Sequence, residues 1–470
     1  MTEQRSRAIQ KLKCEQWDVL IVGGGINGAG IARDLATRGA GLKVALVERN
    51  HFSSGTSGRN SQLIHGGLRY LKYFDFNLVR EALHERATLL RIAPALVSPL
   101  KFLLPCYGPI DRWFYGAGLT LYDALAGGSG IGSHQALSTA EVSALEPMLE
   151  SAGLRAGLMF LDGQVHSARL VIENLVDAVA HGACIANYVA ATISPNHDGG
   201  ERIEGRDTLT GEVFEIRATR IVNATGAWSE AAPLRLVRGS HLIYPRIQQG
   251  DEAISYFDEN GRIVFFIPWG ENKDLTLVGT TDEDHSCGPD QVQISDAEIR
   301  YLKSIVNRLF PKFTGDPVSS YSSLRPLLLE GGRSATATSR EHKIWASGDG
   351  VLHVSGGKYT TYRSMSEELV DLLLCDVAPG REFPCVTGTT PLEIPDRLNG
   401  WSGTVRVAVE REYALKLADV LYVSTYWGHE RRLDPVWLLP IAREMGRLLA
   451  WTPERVESEV AEVMRSLPPV

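Results

Sequence analysis

No Cys-x-x-Cys pair occurs in the chain, and its six cysteines, at positions 14, 106, 184, 287, 375 and 385, are scattered. A zinc site, a redox dithiol or an iron–sulfur cluster is therefore poorly supported. Scattered thiols in a large chain suit a reducing compartment. The sequence also lacks any apolar run of the roughly 18 residues that a spanning helix needs. The stretch Met1–Lys13 is polar and charged, with no apolar centre, and does not read as a secretory signal. Neither an internal repeat nor a low-complexity tract is visible. Positive charge is in short supply: 48 Lys and Arg stand against 56 Asp and Glu, for a net −8. A nucleic-acid binder needs a basic footprint for its phosphate contacts, so none is expected here.

What remains is an ordinary globular composition, 44% hydrophobic and 22% charged over 470 residues. At roughly 150 residues per domain, that length suggests about three units. Glycine is plentiful, with 46 residues, and predicts many tight turns and close backbone approaches.

The first strong element is the apolar run Asp18–Val22, read as a buried parallel strand. Gly23-x-Gly25-x-x-Gly28 follows, then a helix over Ile31–Arg38 that stops at Gly39, then a strand over Val44–Glu48. In a G-x-G-x-x-G turn, Gly23 permits the tight turn and Gly25 lets the backbone approach a pyrophosphate. Gly28 lets helix and strand pack closely. Glu48, twenty residues after Gly28, is placed to accept ribose hydroxyls. This motif alone leaves FAD and NAD open.

Three later features favour FAD. Phe52–Gly67 is a glycine- and serine-rich loop containing Ser57 and Ser61, suited to wrapping the ribityl chain and pyrophosphate. Asn223-Ala224-Thr225-Gly226 is a second small-residue turn beside the adenine half. Gly356-Gly357-Lys358 opens a late helix whose N-terminus could face the flavin, where reduced flavin carries negative charge.

Other elements are coarser. A helix is predicted from Phe76 towards Leu96, ending at Pro94 and Pro99. Leu96–Gly128 is apolar, aromatic and proline-broken. With Lys101 and Arg112, its first part, Leu96–Trp113, reads either as a membrane-facing surface or as a buried interdomain segment. Helices are predicted over Val171–Ala180, Asp296–Leu309 and Thr361–Leu374. Short antiparallel strands are predicted over His241–Tyr244, Ile263–Ile267 and Leu275–Gly279. Thr387–Gly403 reads as a linker. Val405–Leu467 reads as helical, broken at Gly428, Pro435 and Pro440.

The segments Ile21–Gly39, Leu63-Ile64-His65-Gly66-Gly67-Leu68-Arg69-Tyr70-Leu71, Asn223–Gly226, Gly239-Ser240-His241, Ile267-Pro268-Trp269, Gly279-Thr280-Thr281-Asp282, Leu324-Arg325-Pro326-Leu327 and Gly356–Arg363 occur in this order. Together they resemble the FAD-dependent glycerol-3-phosphate dehydrogenases, quinone-linked members of the D-amino-acid-oxidase-like FAD oxidoreductases. The resemblance runs from about residue 17 to 375.

It implies an α/β fold with an α+β substrate domain: a Rossmann-like FAD domain at 15–95, 165–235 and 335–380, interleaved with an antiparallel-sheet substrate domain at 96–164 and 236–334. A shortened helical C-terminal domain at 390–470 completes it. The cofactor is FAD, contacted at Gly23, Gly25, Gly28, Glu48, Ser57, Ser61, Ala224, Gly226, Gly356, Gly357 and Lys358. Substrate contacts carried over by motif are Arg69, Tyr70, Arg340 and Thr361, with His241, Arg325 and Lys358 as the catalytic set. Several fixed cations suit a dianionic phosphate, and His241 is the candidate base. His65 is read as packing the glycine turn rather than as a covalent flavin attachment point.

The implied reaction is oxidation of sn-glycerol 3-phosphate to dihydroxyacetone phosphate, with electrons passed to a quinone or to oxygen. The implied setting is cytoplasmic, peripheral on the inner face of the cell membrane, with a homodimer as the assembly. Two departures stand out. The loop 55–62 carries Gly58, Asn60 and Gln62 where the family tends to have two serines and a lysine. A lysine lost beside the cofactor would alter flavin potential or phosphate grip. The region after Pro391 is also short. These leave two rivals: a related oxidoreductase acting on another anionic 2-hydroxy acid, phosphorylated polyol or amine, and a non-catalytic FAD-binding subunit or sensor.

Overall fold

A computed structural model describes residues 2–194, 201–328, 342–395 and 400–470. Two large sheets organise the chain. The first has eight strands. Its centre is Gln16–Val22, flanked in parallel by Val44–Glu48 on one side and Val213–Asn223 on the other. Cys184–Asn187 extends it beyond Val44–Glu48, and Leu352–Gly356 extends it beyond Val213–Asn223, both in parallel. The strand order thus reverses beside Gln16–Val22, and a crevice opens there at the carboxyl ends of the parallel strands.

The helix Ile26–Thr37 starts one residue after Gly25, five residues earlier than the sequence pattern suggests. Its start is set by Gly28, where an added Cβ would lie 1.9 Å from the Gly23 carbonyl oxygen. Only a glycine lets helix and strand approach this closely.

The second sheet has ten strands and carries the antiparallel pairs expected from sequence. Leu234–Pro245 pairs along its length with Ser319–Leu328 and, over His241–Pro245, with Leu275–Gly279. Ile263–Trp269 continues the sheet towards Ala253–Phe257, Val97–Cys106 and Ala156–Val165. The apolar segment after Leu96 is therefore first a strand, and its residues Phe102–Cys106 are buried. Pro99 and Pro105 are tolerated because this strand pairs fully on one side only. On the other side it meets Ala253 and Ile254 at Phe102 and Leu103 alone. A helix, Asp111–Ala126, follows. Its exposed stripe holds Trp113 and Phe114, next to exposed Ile110.

The helix predicted from Phe76 ends at Ile92, two residues before Pro94, as a residue preceding proline avoids helical geometry. The helix Asp296–Leu309 matches its prediction at both ends, and Ser295 and Glu298 form a capping box at its start. An N-terminal helix not foreseen from sequence, Glu3–Cys14, is held by buried Arg5, which pairs with Asp207 at 2.9 Å and donates to the Asn187 carbonyl.

The C-terminal layer is helical, with Gly400–Glu410, Pro435–Leu449 and Pro453–Arg465 packing around a core that includes Val405, Leu438, Met445 and Val463. Two expectations there need correction. Pro435 does not break a helix but begins one, at a position whose N–H would be unpaired anyway. Pro440 lies inside that helix; it gives up one bond to the carbonyl of Val436, a residue exposed enough for water to replace the donor. The helix from Gly400 also begins inside the stretch read as linker.

Gly28→Ala is expected to cost about 1–3 kcal/mol, the usual cost of overpacking. Chemical denaturation of the purified protein checks this, with reduced FAD retention as the accompanying sign.

Candidate active site

A cavity of about 550 Å³ runs from the crevice of the first sheet to the face of the second. Its crevice end is built of backbone. Gly23 adopts φ +114°, and a Cβ there would lie 2.5 Å from the Ala224 carbonyl oxygen, so the two small-residue turns can touch. Gly25 leaves the start of the following helix open. The Ile26 N–H is met by Ser57 Oγ at 2.9 Å. Free N–H groups and the positive end of a helix dipole favour a phosphate at this point. Glu48 accepts from the N–H groups of Gly24 at 2.8 Å and Asn50 at 2.9 Å, and burial pushes its carboxyl above the usual range. Ser53 also lines the cavity, and its buried hydroxyl has no partner among the described residues. A backbone cradle plus an unpaired hydroxyl fits a dinucleotide. Gly226, Gly356 and Gly357 complete this end, all at positive φ.

The second sheet supplies the other end. His241 on Leu234–Pro245 stands opposite Gly279 on one neighbouring strand and Tyr321 on the other. A Cβ on Gly279 would lie 2.3 Å from His241 Cδ2, and one on Gly239 would lie 2.4 Å from Arg325 Nη2. These two glycines are slots for the imidazole and the guanidinium. His241 Nε2 is 2.9 Å from Ser61 Oγ, while its buried Nδ1 has no partner among the described residues. Burial, and then the nearby Arg325, pull the His241 pKa down to about 3. Desolvation is the larger of the two causes.

Arg325 is fixed by the Gly279–Asp282 segment. It pairs with Asp282 at 2.7 Å, donates to Thr280 Oγ1 at 2.8 Å and to the Thr281 carbonyl at 3.1 Å. Lys358 is nearly buried, with Nζ 4.1 Å from the Tyr70 ring centroid and 3.3 Å from the Gly66 carbonyl. Gly67, at φ +82°, makes room for both the Tyr70 ring and Lys358. His65 lines the cavity beside an aromatic wall of Phe102, Phe160 and Phe265.

The structure thus brings His241, Arg325, Lys358, Tyr70, Ser57, Ser61, Glu48, Ala224 and the glycines 23, 25, 226, 356 and 357 to one cavity. Gly28 and Thr361 do not line it. Gly28 packs under the crevice, and buried Thr361 turns its hydroxyl to the Lys358 carbonyl. Ser61, expected at the cofactor, also reaches His241. Arg340 and the side chain of Arg69 lie outside the described residues. Gln62, expected beside the cofactor, points away from the cavity: it is buried and its Oε1 accepts from Ser167 and Tyr426. The aromatic wall, Asp282 and the two slot glycines were not foreseen. A glycine inside a strand, opposite a histidine as Gly279 is to His241 or diagonal to an arginine as Gly239 is to Arg325, is the signal that could have found the slots.

Residues 18–363 match the model of the family described as FAD dependent oxidoreductase. The chain is 34% identical over 461 residues to the mitochondrial glycerol-3-phosphate dehydrogenase of Mesocricetus auratus, covering 91% of this chain and 62% of that one. It therefore spans less than two thirds of that relative's length. It is 38% identical over 371 residues to D-erythritol 1-phosphate dehydrogenase of Brucella abortus, covering 75% of this chain and 72% of the relative. Among solved structures, the FAD complex of the glycerol-3-phosphate dehydrogenase from Bacillus halodurans superposes with a TM-score of 0.79 at 24% identity, covering 98% of this chain and 97% of that one. The fold, the crevice and the family match agree, and the chain belongs to the FAD-dependent oxidoreductases.

Proposed function

We propose that the protein oxidises sn-glycerol 3-phosphate to dihydroxyacetone phosphate, with FAD as the cofactor. The convergence of His241, Arg325 and Lys358 on one cavity that also opens onto the glycine cradle carries this reading. In it, the strands and turns of the first sheet hold the cofactor, and the second sheet forms the substrate wall. Arg325 and Lys358 bind the phosphate. Arg325 contributes a rigid planar fork and Lys358 a point charge, and Tyr70 steers the ammonium. His241 takes the proton of the substrate hydroxyl at Nε2, the nitrogen that faces cavity-lining Ser61. Bound FAD supplies the hydride acceptor for the hydrogen on the same carbon. The substrate gives up this proton and this hydride as its C–O bond becomes a carbonyl.

Electrons then pass to a quinone. Among the described residues no helix is long and apolar enough to cross a membrane. A lipid surface is instead met by Phe74, Ile110, Trp113 and Phe114, which are 78%, 67%, 76% and 59% exposed, with Arg112 beside them. The stretch Leu96–Trp113 reads from sequence as either membrane-facing or buried; most of Val97–Cys106 is buried strand, and only its far end, with Ile110, Arg112 and Trp113, belongs to this surface.

The similarity to an erythritol-phosphate enzyme supports a second reading, a longer phosphorylated polyol as substrate. Anaerobic addition of each substrate to the purified flavoprotein separates them. Glycerol 3-phosphate is expected to bleach the flavin band, and with a higher kcat/KM than D-erythritol 1-phosphate. Persistence of the band with glycerol 3-phosphate, but not with the tetritol, would decide for the second reading.

His241→Asn is expected to lower kcat by about 10²–10⁴-fold, the usual contribution of a general base. Because a pKa of about 3 keeps His241 neutral above that pH, the wild-type kcat profile is expected to show no acid limb from this group between pH 5 and 8. Trp113→Ser combined with Phe114→Ser is expected to reduce binding to vesicles containing anionic lipid by tenfold or more while leaving bleaching by substrate intact. Co-sedimentation checks this.

A further inference from the structure

The helical C-terminal layer lies outside the matched family segment, yet it reaches the imidazole of the candidate base. Ser61, whose Oγ meets His241 Nε2, sits between two clamped residues. On one side the Asn60 carbonyl accepts the Tyr321 hydroxyl at 2.7 Å. On the other side Gln62 is tied down at both ends. Its carbonyl accepts the Val165 N–H at 2.9 Å, and its Oε1 accepts the Ser167 N–H at 3.0 Å, the Ser167 hydroxyl at 2.9 Å and the Tyr426 hydroxyl at 2.8 Å. Gln62 holds φ +56°, a conformation that a residue with a Cβ rarely keeps unless its surroundings enforce it.

We propose that Tyr426 is a positioning residue for His241: by donating to Gln62 it fixes the segment that carries Ser61, and Ser61 fixes the imidazole. The Tyr426 ring is located independently of its hydroxyl. It stacks on His166 with centroids 4.2 Å apart and packs on Trp269 at 5.1 Å. Removing the hydroxyl alone therefore leaves the packing in place. The same layer reaches His241 by a second route, for the Tyr321 ring lies 5.0 Å from both His241 and His429.

The titratable and charged groups around His241 are few. Arg325 and Tyr321 face it from one neighbouring strand. Gly279 on the other neighbouring strand carries no charge, the loop offers only Ser61, and His429 stands behind Tyr321. Asp282 is occupied with Arg325. Among the described residues no carboxylate bonds to the ring, and its pKa is lowered by burial and then by Arg325. A ring released from Ser61 and hydrated would titrate nearer the ordinary value of about 6.5.

The kinetic half of this inference rests on His241 as the base; the titration half does not. The test uses FAD-loaded Tyr426→Phe and Gln62→Ala proteins, with FAD content, kcat, KM, the pH profile of kcat, and the His241 titration followed by NMR of ¹⁵N-histidine-labelled protein. The expected result is about a tenfold fall in kcat, KM and FAD content within twofold of wild type, and an acid limb appearing above pH 5. His241 should titrate well above the wild-type value, and the double variant should be no worse than either single one. A His241 titration and pH profile identical to wild type in Tyr426→Phe would overturn the proposal, as would losses that multiply in the double variant. If His241→Asn retains full turnover, the base reading falls, and the NMR titration alone decides the positioning role.

Discussion

Everything in the site depends on how closely backbone can approach backbone where two sheets meet. At the crevice, the Gly23 carbonyl occupies the place a Cβ of Gly28 would need. That contact sets the helix Ile26–Thr37 at the end of the central strand and aims its free N–H groups into the cavity. In the second sheet the same device recurs, with side chains in place of carbonyls. The imidazole of His241 fills the space over Gly279, and the guanidinium of Arg325 fills the space over Gly239. A flat wall of strands thereby holds an imidazole and a guanidinium in fixed positions, with little conformational entropy left for them to lose.

Electrostatics follow from this geometry. The second sheet buries nearly all of His241 at the cavity wall and places Arg325 near it, so the imidazole stays neutral. Arg325 keeps its orientation because Thr280, Thr281 and Asp282 hold its donors. Lys358 is held in a different way, with its ammonium over the face of Tyr70. The cavity therefore presents two kinds of cation to an anionic substrate.

Much of this was legible in the sequence, for identifiable reasons. The parallel strands are continuous apolar runs, and the G-x-G-x-x-G turn and Glu48 have fixed spacing; Val44–Glu48 and Asp296–Leu309 agree with expectation at both ends. The family resemblance implied that His241, Arg325 and Lys358 share one site, and all three line one cavity. What failed was whatever depends on the third dimension. Residues 97–106 read as ambiguous because their prolines are permitted only by one-sided pairing. Gln62 was read as a cofactor neighbour because the resembling family carries a lysine there; it instead holds a left-handed backbone, φ +56°, and its side chain is buried, bonded to Tyr426. Tyr426 itself is remote in sequence from every motif, and no local pattern marks it.

In the proposed function one cavity aligns a phosphorylated secondary alcohol for loss of the hydrogen on its hydroxyl-bearing carbon. The most direct measurement is rapid-mixing anaerobic flavin reduction with glycerol 3-phosphate carrying deuterium at C2. Deuterium is expected to slow bleaching several-fold, with saturation in substrate retained. Bleaching that is insensitive to deuterium at C2 but slowed by deuterium at another carbon would contradict it, because the cavity would then be aligning a different bond.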